Sequence, residues 1–226
     1  MRNLIPVILL SAVILGFSPQ LKAQKEGKPA KKDVLITMTT AYGDMNIILF
    51  DETPKHKANF IKLAEEGFYD QTLFHRVMLG FMIQGGDPNT KPGGNRKAAG
   101  QGGPGYTIPA EFVKGIKHEK GSLAAARQND RVNPQKESSG SQFYIVHNAK
   151  ACRHLNGGYT VFGKVVKGIE VVDKIAAQEI NRRNKMPLED VPMTVTAKNL
   201  SKKKITKLTG YEYPGSKKKK KKKAKA

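Results

Sequence analysis

Along residues 34–50 the apolar positions follow the short period of β-strands. Val34 to Thr39 and Met45 to Phe50 are β-rich runs, and Ala41-Tyr42-Gly43-Asp44 between them reads as a hairpin turn. The period then lengthens. Thr53 is placed to cap a helix with Pro54 at its first position, and Ala58, Ile61 and Ala64, flanked by Phe60 and Leu63, form its apolar stripe up to a stop at Gly67. From Phe74 to Pro88 the chain reads as two short strands around a Gly turn. Side chains alternate faces along a strand, so Met82 and Gln84 share one face while Phe81 and Ile83 begin on the other.

Between Asp87 and Ile108, Pro88, Pro92, Pro104 and repeated glycines predict a long loop with little regular structure. Gly121 to Ala126 is a small-residue strand that lets another backbone approach closely, and Arg127 to Ser139 is a polar loop. Strands bordering a central core should turn Phe143 and Ile145 inward and Gln142 and Tyr144 outward. Ile169 to Ile180, with Val172, Ile175 and Ala176 on one face, is the second predicted helix, and Pro192 to Thr196 the final strand. Many short strands, Gly/Pro turns and only two helices argue for an all-β barrel or sandwich.

Length and charge add appendages to that domain. The chain has 226 residues, 38% of them hydrophobic, which suits one globular domain plus tails. Of the formal charge of +21, +12 falls in the last 29 residues and +2 in the first 23, leaving +7 for the body. Met1-Arg2-Asn3 followed by the apolar run Leu4 to Phe17 has the two opening regions of a secretory signal peptide, with cleavage expected after Ala23 and before Gln24. The expected organisation is therefore a signal peptide at 1–23, a solvated linker at 24–32, a domain at 33–197 and a basic, largely disordered tail at 198–226. The expected location is periplasmic or extracellular. A single cysteine, Cys152, excludes an intramolecular disulfide framework and any Cys-based metal site. His118, His147 and His154 lack metal-ligand spacing with any Cys, so no metal site is read, and no cofactor is expected. Lys217 to Lys223 plus Lys225 is a cationic run suited to an anionic surface. No aromatic residue interrupts it to stack on bases, so no specific nucleic acid is expected as partner.

The candidate chemistry lies in the hairpin. Met82 beside Gln84 on one face is unusual for solvated surface, and Arg76 at the end of the preceding strand can lie over the same patch. His75 falls on the opposite face and reads as a hydrogen-bonded core histidine. Phe74-His75-Arg76, Gly80 to Asp87, Gly140 to Ile145 and Val161 to Val165 occur in an order that resembles the cyclophilin family of peptidyl-prolyl cis-trans isomerases over about residues 33–197.

The resemblance implies a closed eight-stranded antiparallel barrel capped by two α-helices. It also implies a monomer that rotates X-Pro bonds in segments of unfolded or exported proteins. That rotation has a barrier of about 18–20 kcal/mol, because the C–N bond is partly double. Arg76, Phe81 and Gln84 are then the catalytic residues. Arg76 would donate toward the prolyl nitrogen as resonance is lost, and Gln84 would orient Arg76 or bind the substrate carbonyl. Met82, Ala124, Ala125, Gln142, Tyr144, Leu155 and Tyr159 are the substrate-binding residues the resemblance implies. Phe81, Met82, Tyr144 and Leu155 would hold the proline ring, Ala125 would pair with substrate through its backbone, and Tyr159 is either pocket rim or turn-flanking. The sequence departs from the family in Tyr144 for a common Phe, Tyr159 for a common His, and His154 for the Trp of drug-sensitive members. Losing that indole removes the large aromatic surface and N–H donor that favour cyclosporin. A second function class, a prolyl-peptide chaperone without turnover, uses the same face. A third, nucleic-acid binding, rests on the tail alone.

Overall fold

A computed structural model describes residues 31–214. The expected signal peptide, most of the linker and the lysine run Lys217 to Lys225 lie outside the described residues. In chain order the first elements are β1 (Lys32–Thr40), β2 (Gly43–Leu49), α1 (Pro54–Glu65), β3 (Arg76–Met78) and β4 (Met82–Gly85). They are followed by β5 (Thr107–Ile108), β6 (Ser122–Ala125), β7 (Ser138–Ser139), β8 (Phe143–Val146), β9 (Val161–Lys167), α2 (Ile169–Ala176), β10 (Thr194–Ser201) and α3 (Lys202–Thr209). Eight strands form one antiparallel sheet in the order β10-β1-β2-β9-β6-β8-β4-β3, and β5 pairs with β7 separately. The two end strands are not paired by a ladder. The chain leading into each is joined instead, Gln71 N–H to the Met193 carbonyl at 2.9 Å, Met193 N–H to Thr72 at 3.0 Å and Phe74 N–H to Val191 at 3.0 Å.

Alternation along the strands sorts their side chains. Ile36, Met38, Ile47, Ile83, Phe143 and Ile145 enter the main core, where α1 contributes Phe60 and Leu63 and α2 contributes Val172 and Ile175. Phe60 stacks on Tyr69 at 4.8 Å and meets the edge of Phe143 at 5.7 Å, so the first helix is fixed to the sheet by aromatic contacts. Met82, Tyr144 and Val146 point the other way, into a second apolar cluster that also holds Cys152.

Three expectations about the elements need correction. The first concerns the cap of α1: the Thr53 hydroxyl donates to the Phe50 carbonyl and leaves the helix end uncapped. Glu111, in the connection between β5 and β6, caps it, accepting the Lys55 and His56 N–H groups at 3.0 Å each and lying 2.6 Å from the His56 Nδ1. A carboxylate there satisfies orphan donors and complements the positive end of the helix. Second, α2 stops at Ala176 rather than Ile180, because the backbone beyond turns back on itself: Asn181 N–H bonds the Met186 carbonyl and Leu188 N–H bonds that of Glu179. Third, residues 198–214 are not a disordered tail. β10 runs on to Ser201, which pairs with Lys32, and α3 then buries Ile205 against Leu35 and Ile48 on the outer face of the sheet, with Tyr211 and Tyr213 beside it. Among the described residues, no helix is long and apolar enough to cross a membrane.

Candidate active site

The site grows from strand register. Arg76 of β3 lies opposite Gln84 of β4, Gln84 opposite Tyr144 of β8, and Tyr144 opposite Ala124 of β6. Directly opposed residues share a face, so these side chains form one row across four strands. Gly80, at φ +78°, makes the β3–β4 turn. Phe81 sits in that turn before β4 begins, so strand alternation does not bind it, and it joins Met82 on the cleft side. Its carbonyl is held by the N–H groups of His147 and Asn148 at 3.0 and 3.1 Å and by the Cys152 thiol at 3.4 Å. Burial pushes that thiol up to about 11, so Cys152 stays protonated at neutral pH and serves as a donor.

The row and its flanks enclose a cleft of about 350 Å³. Arg76, Phe81, Met82, Gln84, Tyr144, Leu155 and Tyr159 all line it. Seven of the ten expected residues therefore come together. Gln142 lines an adjoining recess of about 650 Å³, shared with the glycine-rich loop, and connects to the cleft through Gln84. Ala124 is the covered end of the row. Ala125 turns its methyl group into the main core, and its N–H already bonds the Thr160 carbonyl at 2.9 Å, so it is unavailable to a ligand. The alanine that lines the cleft is Ala126, one residue on and on the opposite face.

A relay of side chains holds Arg76. Its Nη1 donates to Gln84 Oε1 at 3.2 Å and rests 3.7 Å from the Met82 sulfur. Gln84 Nε2 donates to Gln142 Oε1 at 3.1 Å, and Gln142 Nε2 donates to the Gly102 carbonyl at 2.7 Å. Because the far end is a carbonyl that can only accept, each amide is fixed in one orientation and Gln84 must offer its oxygen to Arg76. This contact is the geometry that the task of orienting Arg76 requires. No carboxylate lies within ion-pair distance of Arg76 among the described residues. Burial lowers the pKa of the guanidinium from its ordinary value, yet an arginine remains charged. The result is a half-buried cation with one amide partner, facing a cleft that also presents the apolar side chains of Phe81, Met82 and Leu155.

Tyr144, next in the row, is also fixed by hydrogen bonds. Tyr144 Oη lies 2.7 Å from His118 Nε2, and His118 Nδ1 lies 2.8 Å from Asn156 Oδ1. The Asn oxygen accepts, so Nδ1 carries the proton and Nε2 accepts from the tyrosine hydroxyl. Burial raises the pKa of Tyr144 and lowers that of His118, which keeps both neutral. The extra hydroxyl of Tyr144, relative to Phe, is thereby satisfied away from the cleft. Phe81 stacks on His154 at 6.0 Å with an interplanar angle of 12°. His154 thus keeps an aromatic face where the sequence lacks an indole.

Two further expectations fared differently. Tyr159 is pocket rim, edge-on to Tyr144 at 6.1 Å. His75 is buried as expected, but neither ring nitrogen makes a hydrogen bond of normal geometry. The residue that sequence reasoning missed is Arg127, read as the start of a polar loop. Its guanidinium lies 4.3 Å over the Tyr159 ring, and it lines both cleft and recess.

Comparisons with known proteins agree with this geometry. Residues 35–198 match the family model for cyclophilin-type peptidyl-prolyl cis-trans isomerases. A peptidyl-prolyl cis-trans isomerase of Arabidopsis thaliana is 41% identical over 61% of this chain and 79% of its own length. Isomerase B of Bacillus subtilis is 43% identical over 58% of this chain and 80% of its own. An isomerase-like protein of Rhizopus delemar is 37% identical over 70% of this chain, which spans only 28% of that longer relative. Among solved structures, a cyclophilin-type isomerase of Cryptosporidium parvum, crystallised in the presence of the dipeptide Ala-Pro, superposes with a TM-score of 0.62 at 28% identity, covering 73% of this chain and 98% of that one. With matched fold, matched sequence and the arginine, glutamine and aromatic residues gathered in one cleft, the chain belongs to the cyclophilin-type peptidyl-prolyl cis-trans isomerase family.

Proposed function

We propose that this protein isomerises X-Pro bonds in exported proteins, with Arg76 as the donor that distinguishes the transition state from the ground state. The observation that carries the reading is the state of Arg76: charged, half-buried, held by Gln84 and, among the described residues, without a carboxylate to neutralise it. A proline ring resting on Phe81, Met82 and Leu155 brings its nitrogen toward that guanidinium. The nitrogen lone pair is engaged in the amide while the bond is planar and becomes an acceptor only as the bond twists, so the hydrogen bond strengthens toward the transition state. Nothing covalent is required. We also read the eight-stranded sheet as a barrel, closed through the backbone bonds between residues 71–74 and 191–193.

Export rests on the pattern of residues 1–23, and attachment to an anionic surface on the lysine run 217–225. The Ala-Pro dipeptide named with the Cryptosporidium protein supports proline-containing peptides as the substrate class.

Turnover of an X-Pro peptide by the parent protein and by Arg76→Ala tests the reading. Removing one preorganised donor should lower kcat/KM by about 10²–10³-fold and weaken peptide binding far less. Arg76→Lys should restore part of the rate, since an ammonium lacks the planar multi-donor fork. A folded Arg76→Ala protein as fast as the parent overturns the assignment. A parent that binds prolyl peptides without turning them over establishes the chaperone reading instead.

A further inference from the structure

We propose that Arg127 is a positioning residue for the cleft: it clamps the loop carrying Leu155 and Tyr159 to the loop that begins at residue 127, and so fixes the wall against which the proline ring rests. The inference builds on the isomerase reading and adds to it a residue that touches no reacting atom. Arg127 lies two residues past the end of β6, next to Ala126, whose N–H bonds the Gln142 carbonyl at 3.0 Å, and its side chain is only 4% exposed. The polar contacts of that side chain run in two directions. Nε donates to the Gly158 carbonyl at 2.7 Å, across 31 residues of sequence, whereas Nη1 donates to the Gln128 carbonyl at 2.9 Å and pairs with Asp130 at 2.6 Å. The flat guanidinium then covers the face of Tyr159, and Tyr159 in turn meets the edge of Tyr144. A cation stacked on an aromatic face in a largely desolvated position is favourable in itself, and it also removes one side of the ring's freedom to swing.

This arrangement explains why an arginine is needed. A lysine ammonium can sit over the ring, but it cannot also present a planar edge to the Gly158 carbonyl. The arginine also ties together two connections that lie outside the main sheet. The far wall, Leu155 to Tyr159, lies in a stretch of 3-10 helix and turn with no strand partner, and Arg127 joins it to the sheet through one side chain. Arg76 works at the reacting bond; Arg127 holds the surface opposite.

Steady-state kinetics on an X-Pro peptide, with NMR of ¹³C-labelled tyrosine rings, tests the clamp in the full chain. Tyr159→Leu identifies the Tyr159 ring signals by deletion. Arg127→Ala should shift and broaden those signals and raise KM by about five- to tenfold while kcat stays within about twofold, the scale of one stacked cation and one charge-assisted hydrogen bond. Arg127→Lys should fall between parent and Arg127→Ala. Adding Arg127→Ala to Tyr159→Leu should raise KM little beyond either change alone, because both act through one wall. Unchanged Tyr159 signals, unchanged KM, or a loss confined to kcat in a folded Arg127→Ala protein overturns the proposal. Should Arg127→Ala not fold, Arg127→Lys decides it, with parent-like ring signals and KM as the refuting result. A parent without isomerase activity refutes the functional reading alone, and ring signals with prolyl-peptide affinity then judge the clamp.

Discussion

Burial keeps His75 and His118 neutral, and that has a pH consequence. Both pKa values are lowered from 6.5 with desolvation as the leading cause; at His75 the nearby Asp87 carboxylate and Leu73 carbonyl pull the other way and do not prevail. As pH falls below about 6.5 the unfolded chain takes up protons first, so the contribution of the neutral rings is complete above that pH and is lost on the way down toward the folded values. Glu111 stays charged over this range: burial opposes its charge, but hydrogen bonds from the His56 side chain and two backbone N–H groups hold its carboxyl below the usual range. The urea midpoint should therefore be lower at pH 5 than at pH 7.5. His75→Leu should narrow that difference, since the ring has only a poorly aligned contact with the Leu73 carbonyl to lose. An undiminished difference in a folded His75→Leu protein would place the effect elsewhere.

At the scale of elements, α3 is the part the sequence hid and the structure supplies. Three lysines fill its first turn, where the helix dipole disfavours cations, so neither charge nor propensity explains it. It holds because Ser201 caps Lys204 N–H at 3.2 Å, Gly210 ends it at φ +76°, and Ile205 is fully buried among Leu35 and Ile48. Ser201 and Gly210 bound the helix. The run between them carries only Ile205 and Leu208 as apolar residues and reads as charge rather than as a packed face. Ile205→Ala should lower unfolding free energy by about 2–5 kcal/mol, measured by urea titration, with kcat/KM unchanged below the transition. Lost activity in the folded variant would show α3 coupled to the cleft.

The same division separates what could be read at the site from what could not. The Arg76, Gln84 and Tyr144 row follows from the period of strands, which any alternating sequence discloses. Phe81, Ala125 and Ala126 depended on where strands end, the least determined feature of a one-dimensional pattern. Arg127 depended on Gly158 and Tyr159, partners set by tertiary structure, and nothing in the local composition of residues 127–139 marks it.

For the whole molecule, charge is divided as sharply as structure. The cleft belongs to a body of modest charge, while the chain after residue 197 carries +12. Five of those lysines lie on β10 and α3, and the other eight follow Pro214. Each basic residue held near an anionic membrane contributes about 1 kcal/mol, and the attraction fades beyond a Debye length of about 8–10 Å at physiological salt. On that scale the proposed attachment through the run 217–225 would hold the protein at such a surface at low salt, and among the described residues the cleft is lined by the body alone. Deleting residues 217–226 should leave turnover of a small neutral X-Pro peptide unchanged and weaken salt-sensitive binding to vesicles containing phosphatidylglycerol. The experiment starts from protein recovered after export, whose first residue should lie at or near Gln24; a product still beginning at Met1 rejects the cleaved leader. Residual binding by the truncated protein should disappear at lower salt than the parent's, since Lys203, Lys204 and Lys207 remain exposed on α3. Equal vesicle affinity with and without the run would remove the tail from any surface-binding role.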